Sequence, residues 1–186
     1  EELFKRLARE NIKTFIDRGV TKILVSSPHC YHTFKNEYPE FRVNFEIVHI
    51  AQYLFELLKT GRLKLGAEYN RKVAYHDPCY LGRHNGIFEE PREVLRRVPG
   101  LELLELPDSH KNSLCCGGGG GRIWMETPRG ERFSDIRIEQ AIDAGAEVLV
   151  TACPYCITNF EDSRRTLEYD EKIEIKDITE IILEAL

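Results

Sequence analysis

Six cysteines dominate the chemistry open to this 186-residue chain, and five of them form one pattern. Cys79 is followed after 35 residues by the adjacent pair Cys115-Cys116, and after another 36 by Cys153-Pro-Tyr-Cys156. A CxxC pair after a strand places two thiolates on one tight turn, at a separation that suits a shared metal or cluster. Pro154 stiffens that turn. The adjacent pair is more telling. Neighbouring cysteines chelate one small ion poorly because the ring they close is strained, whereas a polynuclear cluster lets each sulfur bind a different iron. Five thiolates also exceed the four that tetrahedral zinc or an ordinary cubane takes. The glycine run Gly117–Gly121 suits the same purpose, since backbone N–H groups approach negatively charged sulfur most closely where no Cβ intervenes. A helix expected to open near Arg122 would point its positive end the same way. Cys79, Cys115, Cys116, Cys153 and Cys156 are therefore the candidate ligands of one iron–sulfur cluster that passes electrons.

Other chemistries compete for these residues. A structural zinc site leaves one of the five cysteines unused. A metal-free thiol–disulfide pair accounts for the CxxC but not for Cys79 or the adjacent pair. The even cysteine count permits disulfides, although such scaffolds are usually shorter, secreted chains. The glycine run lacks the Lys-Ser/Thr ending of a nucleotide-phosphate loop. His29 and His76 border the cysteine turns, where each could ligate metal, donate to sulfur, or simply bond the turn backbone. Arg83 and Arg122 could offset cluster charge or be solvated. Cys30 reads as an inert buried thiol, Trp124 and Met125 as core packing, and Glu161–Lys172 as a solvated face.

The bulk composition narrows the partners. With 42% hydrophobic and 31% charged residues the chain reads as globular, and a net charge of -5 argues against non-specific nucleic-acid binding. No apolar run reaches the ~20 residues that span a bilayer. Residues 1–20 are charged and amphipathic, unlike a signal peptide, so a reducing, cytoplasmic setting is expected. The chain opens on a helical pattern without Met, and a piece of a larger protein is expected.

The elements that must position the cysteines alternate. Helices are expected over 1–18, 31–38, 50–60, 91–98, 133–144 and 178–186. Strands are expected over 22–26, 41–48, 72–76, 101–106, 148–152 and 173–176. This alternation argues for an α/β fold with mainly parallel sheets. An internal repeat organises it. A shift of 126 residues lays Ile12–Phe34 on Ile138–Phe160, matching Gly19 to Gly145, Pro28 to Pro154 and Cys30 to Cys156. A shift of 128 lays Phe45–Leu58 on Ile173–Leu186. The reading is two pseudo-symmetric Rossmann-like lobes: residues 1–60 as a partial first copy truncated at its N-terminus, 61–70 as a linker, and 71–186 as a complete second copy. The cysteine turns should lie at strand C-terminal ends, in a cleft.

Cys79-x35-Cys115-Cys116-Gly117-x35-Cys153-x2-Cys156 resembles the cysteine-rich CCG domain of the heterodisulfide reductase catalytic subunit and related iron–sulfur oxidoreductases. His76-Asp-Pro-Cys-Tyr-Leu-Gly-Arg83 and Thr151-Ala-Cys-Pro-Tyr-Cys156 are similar to that family as well. Gly121-Arg-Ile-Trp-Met-Glu126 looks most like the subgroup associated with electron-transfer flavoproteins, membrane-associated oxidoreductases that feed a quinone pool. The resemblance implies a noncubane 4Fe–4S cluster on the five cysteines. It also implies partners carrying flavin or ferredoxin-type clusters, and a place at the cytoplasmic face of a membrane through the parent protein. The first copy departs from the pattern, because Ser27 stands where Cys153 stands in the second. Family disulfide reduction uses paired clusters, so one intact motif points to electron relay.

Overall fold

The computed structural model describes all residues, 1–186. Helix α1 (Glu2–Asp17) leads to β1 (Lys22–Val25), α2 (Pro28–His32), β2 (Glu46–His49) and α3 (Ile50–Lys59). The second half runs β3 (Lys72–Tyr75), α4 (Glu89–Arg96), β4 (Glu102–Leu104), α5 (Phe133–Asp143), β5 (Val148–Thr151), α6 (Pro154–Thr166), β6 (Glu174–Asp177) and α7 (Ile178–Glu184). The fold is α/β, with two all-parallel sheets of order β1-β2 and β4-β3-β5-β6.

The duplication is visible in the backbone. Gly19 and Gly145 end α1 and α5 with positive φ and donate to Ile16 O and Ile142 O, at 2.9 and 2.8 Å. Lys22 pairs with Glu46 in one sheet, and Val148 with Glu174 in the other, in the same register. His49 caps α3 in a capping box with Gln52, and the matching Asp177 caps α7 in one with Glu180. The copies differ in burial. β5 lies between β3 and β6 and is wholly buried, so it reads Val-Leu-Val-Thr; β1 pairs with β2 alone and leaves Leu24 exposed.

One apolar core joins the sheets. Tyr31, Ala51 and Leu54 from the first half pack with Tyr75, Val94, Leu95 and Ile181 from the second. Residues 61–70 are fastened to it: Leu63 and Leu65 pack against this core, and the Gly66 and Ala67 N–H groups donate to Ala185 O at 3.0 and 3.1 Å.

Several local expectations are corrected. The strand read over 41–48 is confined to Glu46–His49, because α2 runs on through a π turn (Thr33–Glu37) and a 3-10 turn (Tyr38–Phe41) that ends at left-handed Arg42. No α-helix opens at Arg122. Residues Gly119–Trp124 form 3-10 turns broken at Gly120 and Gly121, both left-handed. Consecutive glycines cost a helix about 1 kcal/mol each relative to alanine. That break carries Trp124 and Met125 outward, to 87% and 61% exposure, so neither is core. Cys30 is exposed, not buried. No helix is long and apolar enough to cross a membrane.

Candidate metal centre

The order β4-β3-β5-β6 makes successive strands step outward in opposite directions from the β3–β5 pair. A crevice opens at the carboxyl ends of strands on either side of such a switch point. The cysteines converge there. β3 runs into His76-Asp-Pro-Cys79, whose turn is closed by Leu81 and Gly82 N–H donating to Pro78 O at 3.0 and 2.9 Å. β5 runs into Cys153, the N-cap of α6, with Pro154 in the first turn and Cys156 one turn along. Cys115-Cys116 arrives on the loop after β4. Asn159 of α6 donates to Cys116 O, and Arg83 donates to Lys111 O at 3.2 Å and Ser113 O at 2.5 Å. Arg83 thus ties the Cys79 turn to the loop that carries the adjacent pair.

The five sulfurs form one connected group. Cys79 neighbours Cys115, Cys115 neighbours Cys116, Cys116 neighbours Cys156 and Cys156 neighbours Cys153, each near enough to shift the other's titration. Cys116, Cys153 and Cys156 are buried within an apolar cluster that includes Ile138, Leu149 and Phe160, while Cys79 and Cys115 are half-buried. Two of the five, Cys115 and Cys153, are pulled toward thiolate, and the other three are pushed toward thiol. Cys115 is driven toward thiolate by donation from Cys116 and Cys79, and Cys153 by donation from Cys156, against burial, with help from His29 and the Cys156 and Tyr155 N–H groups at the α6 N-terminus. Cys79 and Cys116 are held as thiols chiefly by bonding Cys115, and Cys156 by bonding Cys116 and Cys153. A helix N-terminus beside a buried sulfur favours the deprotonated form a metal needs.

The glycine run divides. Gly117 N–H reaches Cys115 Sγ at 3.4 Å, and Gly118 packs on Asn159, whereas Gly119–Gly121 have open space around them. Gly117 has φ +83°, and a Cβ there would meet Phe133 Cβ at 3.2 Å. Gly117→Ala is expected to cost roughly 1–2 kcal/mol for the left-handed backbone and to disturb the adjacent pair, whereas Gly119→Ala should be nearly neutral. Thermal unfolding of the two variants checks this contrast.

The fold also places residues whose roles the sequence leaves open or hides. His76 is buried, its Nδ1 accepts from Arg137 Nε at 3.3 Å, and its Nε2 is buried without a partner. Burial, and then Arg137, push its pKa down to about 3, so the ring is neutral. His29 is wedged against Tyr80 and Tyr155, ring centroids 4.2 and 4.9 Å away, beside Cys153. Ser27, the counterpart of Cys153, caps α2 and its hydroxyl has no partner. Arg122 lies on the exposed turn, 3.5 Å from Thr127 Oγ1, and lines a cavity together with Cys116 and Gly117. Arg92 carries no signal in the sequence, and Asp77 only its place in the His76-Asp-Pro-Cys79 run. Their buried bidentate pair, at 2.6 and 2.8 Å, is extended by Glu105 at 2.7 Å and by His110 N–H at 2.8 Å. Burial raises the Asp77 carboxyl, but Arg92 and His110 N–H pull it below its ordinary value. Arg137 does carry one. It falls on the buried side of the α5 stripe Ser134, Ile138, Ala141.

A parallel α/β sheet with five cysteines gathered from three segments at its switch point defines a cysteine-rich domain fit to hold a metal or cluster. The chain belongs to the cysteine-rich CCG domain family, whose model matches residues 1–35 and 73–161. Over its whole length it is similar to the probable iron–sulfur-binding oxidoreductase FadF of Bacillus subtilis, at 38% identity, covering 26% of that protein. It is similar to EtfAB:quinone oxidoreductase of Syntrophomonas wolfei, at 36% identity, with 100% of this chain and 27% of that protein covered. It also resembles one of the subunits of the dihydromethanophenazine:CoB–CoM heterodisulfide reductase of Methanosarcina barkeri, at 34% identity, with 100% of this chain and 46% of that protein covered. The chain thus spans between a quarter and a half of the length of these relatives.

Proposed function

We propose that this chain is the iron–sulfur electron-transfer module of an oxidoreductase. Its cluster is held by Cys79, Cys115, Cys116, Cys153 and Cys156, and has the noncubane 4Fe–4S type. The observation that carries this reading is the gathering of five cysteines from three separate segments at one switch point, each near enough to a neighbour to shift its titration. The donor set fits such a group: more thiols than zinc takes, a backbone N–H on Cys115, a buried imidazole nitrogen without a partner, and a fully buried arginine behind it. The cluster, when bound, supplies one-electron oxidation and reduction.

The protein's own groups do the rest. Cys153 and Cys156 are fixed by the α6 N-terminus, and Cys79 by a turn anchored through Asp77 to Arg92. Ile138, Leu149 and Phe160 exclude water from the inner side, while half-buried Cys79 and Cys115 mark the side nearest solvent. That is the side from which electrons would enter or leave. Residues 1–60 then act as a degenerate copy without its own cluster, residues 61–70 as a linker, and residues 71–186 as the binding unit. With one motif, relay is favoured over disulfide cleavage. The name of one relative, EtfAB:quinone oxidoreductase, supports a flavoprotein donor and a quinone acceptor reached through other parts of the parent; a place at the cytoplasmic face of a membrane is part of this proposal. Stepwise anaerobic reduction tests the relay: a reversible one-electron change in an iron–sulfur absorption band is expected, and a band that will not reduce and reoxidise contradicts it.

Zinc remains the second reading on one observation. A ring nitrogen of His76 and the sulfurs of Cys116 and Cys156 lie within 4.8 Å of one another, a possible tetrahedral subset.

A further inference from the structure

Arg137 is fully buried at the centre of the second sheet's helical layer, yet no carboxylate lies in contact with it. Its three nearest partners are all neutral: His76 Nδ1 at 3.3 Å, Gln140 Oε1 at 2.9 Å and Ser113 Oγ at 3.5 Å. A buried cation without an anion in contact is costly, and the carboxylates that act most on Arg137, Asp77 and Asp108, do so only from beyond hydrogen-bond reach. A guanidinium has no acceptor, so Arg137 must be the donor to His76 Nδ1. This fixes the tautomer. A neutral imidazole that accepts at Nδ1 carries its proton on Nε2. Nε2 is buried and without a protein partner, and a ring nitrogen of His76 lies within 4.8 Å of the sulfurs of Cys116 and Cys156; with Nδ1 taken by Arg137, Nε2 is the nitrogen left free to meet them. Phe160 holds the ring edge-on, with centroids 4.8 Å apart.

We propose that Arg137 and His76 form a charge relay to the cluster, with His76 Nε2–H donating to a sulfur of the cluster or its thiolates and Arg137 serving as the buried counter-charge. The inference rests on the cluster reading above. In it His76 is a hydrogen-bond donor to sulfur and not a metal ligand, because its free ring nitrogen carries a proton, and Arg137, acting through His76, is the positioning residue. Donation to sulfur and a nearby positive charge both favour the reduced state, so both raise the reduction potential. The zinc subset loses its histidine for the same reason.

The test uses the protein loaded with iron and sulfide under anaerobic conditions. His76→Phe keeps the packing against Phe160 and removes the N–H; Arg137→Gln removes the charge and keeps a donor. Both variants are expected to bind iron and sulfide and to show a lower midpoint potential than the wild type. The wild type in its paramagnetic state is expected to show a proton coupling that exchanges in D2O and vanishes in His76→Phe, with only weak nitrogen coupling. Unchanged potentials in loaded variants overturn the relay. So does a strong nitrogen coupling in the wild type, which marks iron-bound imidazole and is read even where a variant fails to fold. A wild type that takes up no iron and sulfide instead overturns the cluster reading itself.

Discussion

Cys116→Ala is expected to abolish cluster binding, whereas Cys30→Ala should leave it unchanged. Cys116 is the middle of the sulfur group, beside Cys115 on one side and Cys156 on the other, and it is 4% exposed. Its removal would separate the half-buried Cys79–Cys115 pair from the Cys153–Cys156 turn and leave a gap in the apolar cluster beneath. Loss of groups that merely support a ligand costs about 10–100-fold in metal affinity. Loss of a central ligand should cost more than that, so bound iron and sulfide should fall to background. Cys30 sits on α2 in the first copy, exposed, and outside every sulfur bond. Iron and sulfide analysis of the two variants, prepared side by side without oxygen, decides the matter. Equal iron in both would remove Cys116 from the site.

The second large effect lies behind the site. Arg92→Ala is expected to destabilise the protein by about 3–5 kcal/mol, the usual cost of leaving one member of a buried ion pair uncompensated. Arg92 is fully buried, holds Asp77 through two bonds and reaches Glu105 and Phe88 O as well. For a chain of this size the loss corresponds to a fall in Tm of roughly 10 °C. The effect should reach the cysteines, since Asp77 begins the turn that carries Cys79. Combining Arg92→Leu with Asp77→Asn should recover part of the stability, because no charge is then left buried alone. Calorimetry on the single and double variants checks both statements; a single variant within about 1 kcal/mol of the wild type would show the pair to be dispensable, the effect of an exposed ion pair.

The residues explain what could be read in advance. The cysteine spacing named the group that converges, since Cys79 follows β3 and Cys153 follows β5 and those strands are neighbours. The duplication carried helix ends, strand register and even matched capping positions, because a repeated sequence repeats its local physics: Gly19 and Gly145, His49 and Asp177. Failures came where composition offers no period. Five glycines have no side chains to pattern, so the left-handed break at Gly120 and Gly121 was invisible, and with it the outward swing of Trp124. Asp77 and Arg92 escape a sequence reading because charged residues are ordinarily solvated, and Arg137 shows only through its place on the buried stripe of α5. Only the fold shows that Arg92 closes on Asp77, 15 residues away, and that Arg137 closes on His76, 61 away.

The most direct measurement is the inorganic content of the protein purified and handled without oxygen. The account predicts iron and acid-labile sulfide in equal amounts, about four of each per chain as a 4Fe–4S group requires, with no zinc. One zinc per chain without sulfide would contradict it and make the thiols a structural site. Neither metal nor sulfide, together with a Cys115–Cys116 disulfide, would contradict it as well and point to thiol exchange.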